Sequence, residues 1–299
     1  MTIPGDVPPL DDNGVVSTAT GTPGTDLQLG VQTDGSRPGR EGPGYLSPSS
    51  AGTFRQCQRR WEYRYIDRRP DPPGIPALVG TFVHRVLEEL LHMPPVDRNV
   101  EVAKKLARAV WPEVQEHDAY IAMKLDDDAG RRVRWSAWRL IEAYFAMEDP
   151  ATVEVVQREQ RVKCELDGVP FVGIVDRIEK LDDQLIVTDY KTGRAPTQRY
   201  ESDRLRQVLL YAAGLDAIGQ RPHSARLMYI GSGSIETDVT EEAMAEVRVE
   251  LANTWSTLRT AVDGGEFPPT VGPLCNWCPY SADCAEGTAE IERRYGPAA

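Results

Sequence analysis

The chain has 299 residues, of which 40% are hydrophobic, and a formal net charge of −12 at pH 7. That hydrophobic content is enough for a substantial core in one large domain or two small ones. The acidity argues against indiscriminate nucleic-acid binding but allows a local basic surface. The sequence has no signal-peptide pattern and no apolar run of about 20 residues, so we expect a cytoplasmic protein without a membrane partner.

The first 44 residues contain fifteen glycines and prolines and almost no periodic apolar pattern. Such a segment cannot bury enough apolar surface to offset the entropy of ordering. We therefore expect a disordered tail over residues 1–44, a folded domain over residues 45–286 and a C-terminal tail over residues 287–299.

A basic helix is predicted after the tail, with Ser47 as its cap and Pro48 in its first turn. Its apolar stripe follows helical spacing and consists of Phe54, Cys57, Trp61 and Tyr65. Arginines occupy the other faces, and the candidates for DNA binding are Arg55, Arg59, Arg60 and Arg64. Guanidinium groups suit phosphate contacts, but a solvated surface is an equal alternative.

Three aromatic residues of this helix, Trp61, Tyr63 and Tyr65, could stack on DNA bases if they are exposed. For Trp61, packing in the core is at least as good an interpretation. Exposure of these rings therefore decides between a role in binding and a role in folding.

The remaining elements follow from hydrophobic periodicity. Helices are predicted over residues 76–91, 97–111, 131–147, 203–218 and 241–262. Strands are predicted over residues 153–166, 169–179, 184–190, 225–230 and 235–239. The turn signals Asp167-Gly168 and Asp182-Asp183 separate the first three strands. Helices, a sheet and further helices indicate an α/β fold.

Two neighbouring strands carry residues with the chemistry of a metal site. Asp176 comes late in an apolar strand, and Asp189 and Lys191 end the next strand. Alternate residues of a strand face the same way, so Asp189 and Lys191 should project into one cleft. Carboxylates there could hold a divalent cation, and the lysine could stabilise developing negative charge. An ordinary salt bridge at a strand end is the alternative.

Four cysteines lie at opposite ends of the predicted domain: Cys57, Cys275, Cys278 and Cys284. Because the last three have no local second pair, a shared site would have to recruit a distant thiol, as iron–sulfur clusters often do. Zinc and ordinary thiols are the alternatives. The fifth cysteine, Cys164, falls on a predicted strand and is better interpreted as a small buried hydrophobic residue.

The motifs occur in the order Gly80-x3-His84, Gly173-x2-Asp176, Asp189-x-Lys191 and Gln207-x3-Tyr211. This order and spacing resemble the PD-(D/E)XK superfamily and, within it, the RecB-like nucleases. The cysteine pattern is similar to the iron–sulfur staple of the AddB-type and CRISPR-adaptation nucleases. The resemblance covers residues 45–286. Val175 stands where the superfamily pattern has proline, but RecB-like members commonly show G-x-x-D there.

The resemblance implies a restriction-endonuclease-like core, in which helices flank a central mixed sheet, with a helical N-terminal region and a cysteine-rich C-terminal segment. It implies Mg or Mn as cofactor. The implied metal ligands are His84, Asp176, Asp189 and the main-chain carbonyl of Tyr190. Lys191 would be catalytic together with the two aspartates. In isolation, His84 would be more simply interpreted as an ordinary helix histidine.

The resemblance also implies that Gln207 and Tyr211 face the substrate or support Lys191, although Tyr211 could equally belong to the core. Glu159, on the strand before Asp176, is a further acidic candidate for the site. A 4Fe–4S cluster on the four cysteines would stiffen the fold without a redox step.

We therefore expect a metal-dependent phosphodiesterase, specifically a DNA exonuclease that acts on single-stranded ends in repair or recombination. A CRISPR spacer-acquisition nuclease is one alternative, with an integrase as partner. A noncatalytic DNA-binding subunit of a helicase–nuclease complex is the other, although the intact set of His84, Asp176, Asp189 and Lys191 argues against it.

Overall fold

A computed structural model describes residues 42–71 and 74–296. Most of the predicted N-terminal tail, residues 1–41, lies outside the described residues. Within the described part of the chain, no helix combines the length and the apolar character needed to cross a membrane.

A five-stranded mixed sheet forms the centre of the domain. Its strands are β1 Glu154–Leu166, β2 Val169–Leu181, β3 Gln184–Lys191, β4 Ser224–Tyr229 and β5 Gly233–Asp238. They lie in sequence order across the sheet; β3 and β4 are parallel, and the other neighbours are antiparallel. The two predicted turns join β1 to β2 and β2 to β3, with Asp167, Gly168, Asp182 and Asp183 at positive φ.

Nine α-helices surround the sheet in the described residues. They are α1 Pro48–Gln56, α2 Gln58–Tyr65, α3 Ile75–His92, α4 Val100–Glu116, α5 Asp118–Met123, α6 Asp127–Met147, α7 Glu201–Ala217, α8 Glu241–Gly264 and α9 Ala285–Tyr295. Helix α7 makes the crossover that the parallel pair β3 and β4 requires. The predicted fold class, a mixed sheet flanked by helices, is confirmed.

The two faces of the sheet pack against different helices. Side chains alternate along β4, so that Ala225 and Leu227 join the core formed with α1, α7 and α8, whereas Met228 joins the core formed with α3, α4 and α6. On β3, Val187 and Tyr190 divide between the two cores in the same way. Asp189 and Lys191 therefore share the face that carries α7.

The predicted basic helix differs from the structure, because it is broken at Cys57. Ser47 does cap α1, accepting the backbone N–H of Ser50 at 3.1 Å. Cys57 then adopts extended backbone angles of φ −165° and ψ 113°, and α2 ends at Tyr65. The apolar stripe continues across the break, so periodicity alone predicts one helix.

Smaller differences concern short or terminal elements. Periodicity missed α5, which has only six residues. The C-terminal tail predicted from residue 287 is helical as far as Tyr295 in α9. The other predicted helices and strands are present, with ends shifted by up to five residues.

Candidate active site

The candidate site begins where β2 and β3 separate. Their last paired residues at this end are Arg177 and Thr188, so Asp176 and Asp189 lie beyond the ladder. The Asp176 carboxylate fills the gap: its Oδ2 atom accepts the backbone N–H of Tyr190 at 2.7 Å. Asp176 is thereby fixed against the strand that carries Asp189 and Lys191.

Helix α3 places His84 over this gap. The His84 Nδ1 atom lies 3.5 Å from Asp176 Oδ2, and its ring meets the Tyr190 ring edge to face, with 5.9 Å between centroids. One turn earlier, a Cβ atom on Gly80 would lie 3.2 Å from Thr192 Oγ1. The glycine of the Gly80-x3-His84 motif therefore lets α3 approach the chain that follows Lys191.

Glu159 completes an acidic cluster with His84 and Asp176. One ligand atom from each of the three residues lies within 4.8 Å of the other two. Glu159 is between Arg158 and Gln160, which pair with Arg177 and Val175 of β2, and it has a positive φ of 44°. The register of these flanking pairs places Glu159 opposite Asp176.

Asp189 lies beside Lys191 and Gln207. Its Oδ2 atom is 2.6 Å from Lys191 Nζ, and its Oδ1 atom accepts from Gln207 Nε2 at 3.4 Å. Gln207 Nε2 also lies 3.3 Å from the hydroxyl of Tyr211. Tyr211 is 8% exposed and packs in the core as well as touching Gln207, so both interpretations of this residue apply.

Steric contact explains why the Gly173-x2-Asp176 motif begins with glycine. A Cβ atom on Gly173 would lie 2.9 Å from two ring carbons of Tyr211. Only glycine lets the Tyr211 ring pack so closely against β2, and this packing fixes α7, which carries Gln207.

Two carboxyl groups of the site, Glu159 and Asp189, have raised pKa values. Burial and the charge of Asp176 raise the pKa of Glu159 to about 7 and that of Asp189 to about 6, although Lys191 acts in the opposite direction on Asp189. Burial would lower the pKa of His84, but Asp176, Asp189 and Glu159 together raise it. A buried excess of negative charge is what a divalent cation compensates.

The donor set fits a hard divalent cation, because it combines carboxylate oxygens with one imidazole. The residues brought together are His84, Glu159 and Asp176, whereas Asp189 contacts Lys191 and Gln207. Glu159 was an additional acidic candidate outside the predicted ligand set. In the structure it lies beside His84 and Asp176.

A buried ionic network supports the site from the opposite face of the sheet. The Arg177 side chain is fully buried; it donates to the hydroxyl of Tyr190 at 2.7 Å, contacts Glu148 and lies 2.6 Å from Glu179. Arg226 of β4 also contacts Glu179. Sequence reasoning missed this network, and its only signal was the presence of charged residues inside apolar strands.

The four candidate DNA-binding arginines of α1 and α2 have intramolecular partners. Arg55 lies 2.8 Å from Glu250, Arg59 3.4 Å from Glu62, and Arg64 3.0 Å from Asp71. Arg60 donates to Gln56 at 3.1 Å. The three carboxylate partners reduce the positive charge that α1 and α2 present to a ligand, whereas the neutral amide of Gln56 leaves the charge of Arg60 unchanged.

Base stacking by Trp61 and Tyr63 required exposed rings, and both rings are buried, so the packing interpretation of Trp61 applies. Trp61 is fully buried and donates to Ser50 Oγ at 3.0 Å, while Tyr63 is 5% exposed and donates to the carbonyl of Asp283 at 3.0 Å. Tyr65 is partly buried against the same core. The aromatic stripe therefore serves packing.

One cavity brings the four distant cysteines together: Cys57, Cys275, Cys278 and Cys284 all line it. Backbone N–H groups point at three of the sulfurs, from Thr270 to Cys57, from Gly272 to Cys275 and from Gly287 to Cys284, at 3.3–3.4 Å. Cys164 lies elsewhere, half-buried against the core of the α7 face.

Comparison with known proteins agrees with this geometry. The model of the PD-(D/E)XK nuclease superfamily matches residues 45–285, and the chain belongs to that superfamily. A search of curated protein sequences found no significant match.

Two solved structures are similar. One, a candidate exonuclease from Eubacterium rectale, has a TM-score of 0.52 at 14% identity, over 85% of this chain and 94% of that chain. The other, SSO0001, has a TM-score of 0.37 at 13% identity, over 83% of this chain and 88% of that chain. The first likeness concerns the fold.

Membership of the superfamily establishes the general class of reaction that the protein catalyses. The protein is a nuclease, that is, a phosphodiesterase. Enzymes of this superfamily typically use divalent metals such as Mg or Mn, and the cluster of His84, Glu159 and Asp176 is a candidate acidic site for one.

Proposed function

We propose that the protein is a RecB-like exonuclease that degrades single-stranded DNA ends in repair or recombination. The observation that carries the proposal is the meeting of His84, Glu159 and Asp176 beside the Asp189–Lys191 pair at one end of the sheet. The likeness in fold to a candidate exonuclease is in keeping with the proposal.

Each residue has a role that its position suits. His84, Glu159, Asp176 and Asp189 would hold a Mg or Mn ion, with the carbonyl of Tyr190 as the ligand that the superfamily resemblance implies. When bound, the ion supplies polarisation of the phosphodiester and a lowered pKa of water. Lys191, whose ammonium lies 2.6 Å from Asp189, would stabilise the charge that develops on the phosphate.

Gln207 would position Asp189. Its amide reaches both the Asp189 carboxylate and the Tyr211 hydroxyl, so it links β3 to α7. Loss of this contact would leave Asp189 free to rotate away from the metal-binding cluster.

The test is degradation of end-labelled single- and double-stranded DNA with Mg or Mn, comparing the wild type with Lys191→Ala. We expect the wild type to shorten single strands progressively from one end and the variant to be roughly 100- to 1000-fold slower, as when one transition-state stabiliser is removed. Lys180→Ala, which removes a lysine paired with exposed Asp183, should cut normally.

Internal cuts in a circular single strand would contradict an exonuclease. If wild-type protein binds DNA with metal present but never cuts it, the noncatalytic subunit is the better interpretation. If cleavage requires an added integrase of a CRISPR system, the spacer-acquisition role replaces repair.

We also propose that the four cysteines lining the cavity hold a 4Fe–4S cluster. Thiolates of a zinc site, each about 2.3 Å from the ion, would place their sulfurs about 3.8 Å apart. In the described residues, however, no group of three cysteines has its sulfurs within 4.8 Å of one another. The N–H groups aimed at the sulfurs suit metal-bound thiolates, and a ligand recruited from a distant part of the chain, here Cys57, is typical of iron–sulfur clusters.

Iron and acid-labile sulfide in anaerobically purified protein would test the cluster. We expect both in the wild type and a loss of both in Cys57→Ser, with Cys164→Ser as the matched control. Zinc in place of iron, or equal iron in wild type and Cys57→Ser, would contradict this assignment. The proposal presupposes a reducing compartment such as the cytoplasm, where free thiols persist.

A further inference from the structure

The segment that leaves the catalytic strand, residues 191–206, is basic and exposed. It carries five cations against Glu201 and Asp203 in a chain whose net charge is −12. Arg194, Arg199 and Arg204 are exposed, and none of them forms an ion pair with any residue in the described ranges. This concentration of unpaired positive charge begins three residues after Lys191.

These arginines differ from three of the four candidate DNA-binding arginines of α1 and α2. Arg55, Arg59 and Arg64 each lie within 3.4 Å of a carboxylate. An arginine already paired with a carboxylate must give up that partner to bind a phosphate, whereas an unpaired one need not. Free positive charge near the site is therefore greater on residues 191–206 than on the predicted basic helix.

Arg204 connects this segment to the site. It lies three residues before Gln207 and seven before Tyr211, so the three share one face of α7. Gln207 on that face contacts the Asp189 carboxylate at 3.4 Å, so Arg204 lies one helical turn from a residue that reaches the site. A chain of phosphates that reaches Asp189 and Lys191 would therefore pass Arg204.

Tyr200 adds a surface for a base. It is 51% exposed, next to Arg199, whose guanidinium carbon lies 5.6 Å from the ring centroid. An exposed aromatic ring beside phosphate-binding arginines is the combination that holds single strands, because unpaired bases stack on rings while cations follow the backbone.

We propose that Arg194, Arg199 and Arg204 bind the phosphates of single-stranded DNA as it enters the site, and that Tyr200 stacks on one of its bases. The proposal rests on the proposed function, since it names the surface on which that substrate lies. It assigns strand binding to residues 191–206 in preference to α1 and α2.

The first experiment is binding of a labelled single-stranded oligonucleotide in EDTA, measured by fluorescence anisotropy at several salt concentrations. We expect a triple Arg→Gln variant at positions 194, 199 and 204 to bind roughly tenfold or more weakly at low salt. Its plot of log affinity against log salt should be shallower by about 2, because each phosphate contact on a single strand contributes about 0.7.

The matched control is the triple Arg→Gln variant at Arg108, Arg132 and Arg139, exposed arginines of α4 and α6. It changes net charge equally and should keep wild-type affinity. An unchanged affinity and salt slope in the first variant, or an equal loss in the control, would overturn the proposal.

The second experiment separates stacking from charge. Tyr200→Ala should weaken single-strand binding about 5- to 150-fold, the range of one base–aromatic stack, and Tyr200→Phe should restore it. The wild type, Tyr200→Ala and Tyr200→Phe should bind a duplex of the same sequence almost equally, because its bases are not free to stack on the protein. Tyr295→Ala removes a tyrosine of similar exposure, 60%, and should have no effect.

Equal losses for duplex and single strand in Tyr200→Ala would contradict the stacking role. Binding in EDTA is independent of cleavage, so the two proposals fail separately. If the wild type cleaves DNA but binds it no more tightly than the triple variant does, the strand-binding role of residues 194–204 is refuted and the exonuclease proposal stands. Binding that depends on residues 194–204 without any cleavage would refute the exonuclease alone.

Discussion

At the scale of single residues, the register of β1 against β2 determines which carboxylates meet. Glu159 holds a positive φ inside β1, and such a conformation costs a non-glycine residue of the order of 1–3 kcal/mol. In return its carboxylate reaches His84 and Asp176. Asp176 is identified in the sequence by the Gly173-x2-Asp176 motif. Glu159 joins the site through the pairing of β1 with β2, which the alternation of side chains along one strand does not reveal.

Glu159→Gln tests this position directly. The substitution keeps the size of the side chain but removes a charged oxygen ligand, so we expect the Kd for Mn2+, measured by calorimetry, to rise about 10- to 100-fold. Glu165→Gln, on an exposed position of the same strand, is the control. Equal Mn2+ affinity in all three proteins would show that Glu159 is not part of the metal site.

Gly173→Ala tests the contact between β2 and α7. Its Cβ would press on the Tyr211 ring at 2.9 Å, and we expect a loss of about 1–3 kcal/mol in the free energy of unfolding. Gly52→Ala, where the added carbon meets no atom within 4 Å, should be neutral or slightly stabilising. Urea unfolding measures both, and equal stability of the two variants would contradict the steric argument.

At the scale of elements, β2 and β3 present different chemistry on their two faces. Asp189 and Lys191 face α7, while Arg177 and Tyr190 contact each other in the core on the side of α3 and α6. The sequence predicts both strands and the metal-facing residues. It could not predict the partners of Arg177, because Glu148 is contributed by the chain just beyond α6, 29 residues away.

Arg177→Met should destabilise the domain strongly. Removing the buried guanidinium leaves Arg226 to compensate the charges of both Glu148 and Glu179, and breaking a buried ion pair in this way costs about 3–5 kcal/mol. Arg161→Met, at an exposed position of β1, should change the free energy of unfolding by less than about 0.5 kcal/mol. A small loss for Arg177→Met in urea unfolding would mean that the network contributes little.

The break between α1 and α2 belongs to the same scale. Periodicity passes through Cys57 without interruption, because Phe54 and Trp61 still pack together, with ring centroids 5.5 Å apart. What ends α1 is the extended backbone at Cys57, which lets its thiol reach the cavity shared with three cysteines from the end of the domain. Contacts more than 200 residues apart in sequence leave no periodic signal.

At the scale of the whole molecule, the two ends of the domain are joined by side chains as well as by cysteines. Tyr63 donates to the carbonyl of Asp283, and Tyr280 donates to the carbonyl of Arg69 at 3.3 Å. The cysteine spacing predicts that the ends meet. It does not predict that so many arginines in α1 and α2 are paired, since Glu250 lies on α8.

We propose that the cluster of His84, Glu159 and Asp176 at the end of β2 and β3 holds the metal on which DNA cleavage depends. The most direct measurement is degradation of single-stranded DNA in Mg or Mn by wild-type protein, Asp176→Asn and Asp183→Asn. Asp183 lies in the β2–β3 turn, so its variant controls for the loss of one carboxylate. We predict cleavage by the wild type and Asp183→Asn that EDTA abolishes, and none above background by Asp176→Asn. Equal cleavage by Asp176→Asn, or cleavage that persists in EDTA, would contradict the account.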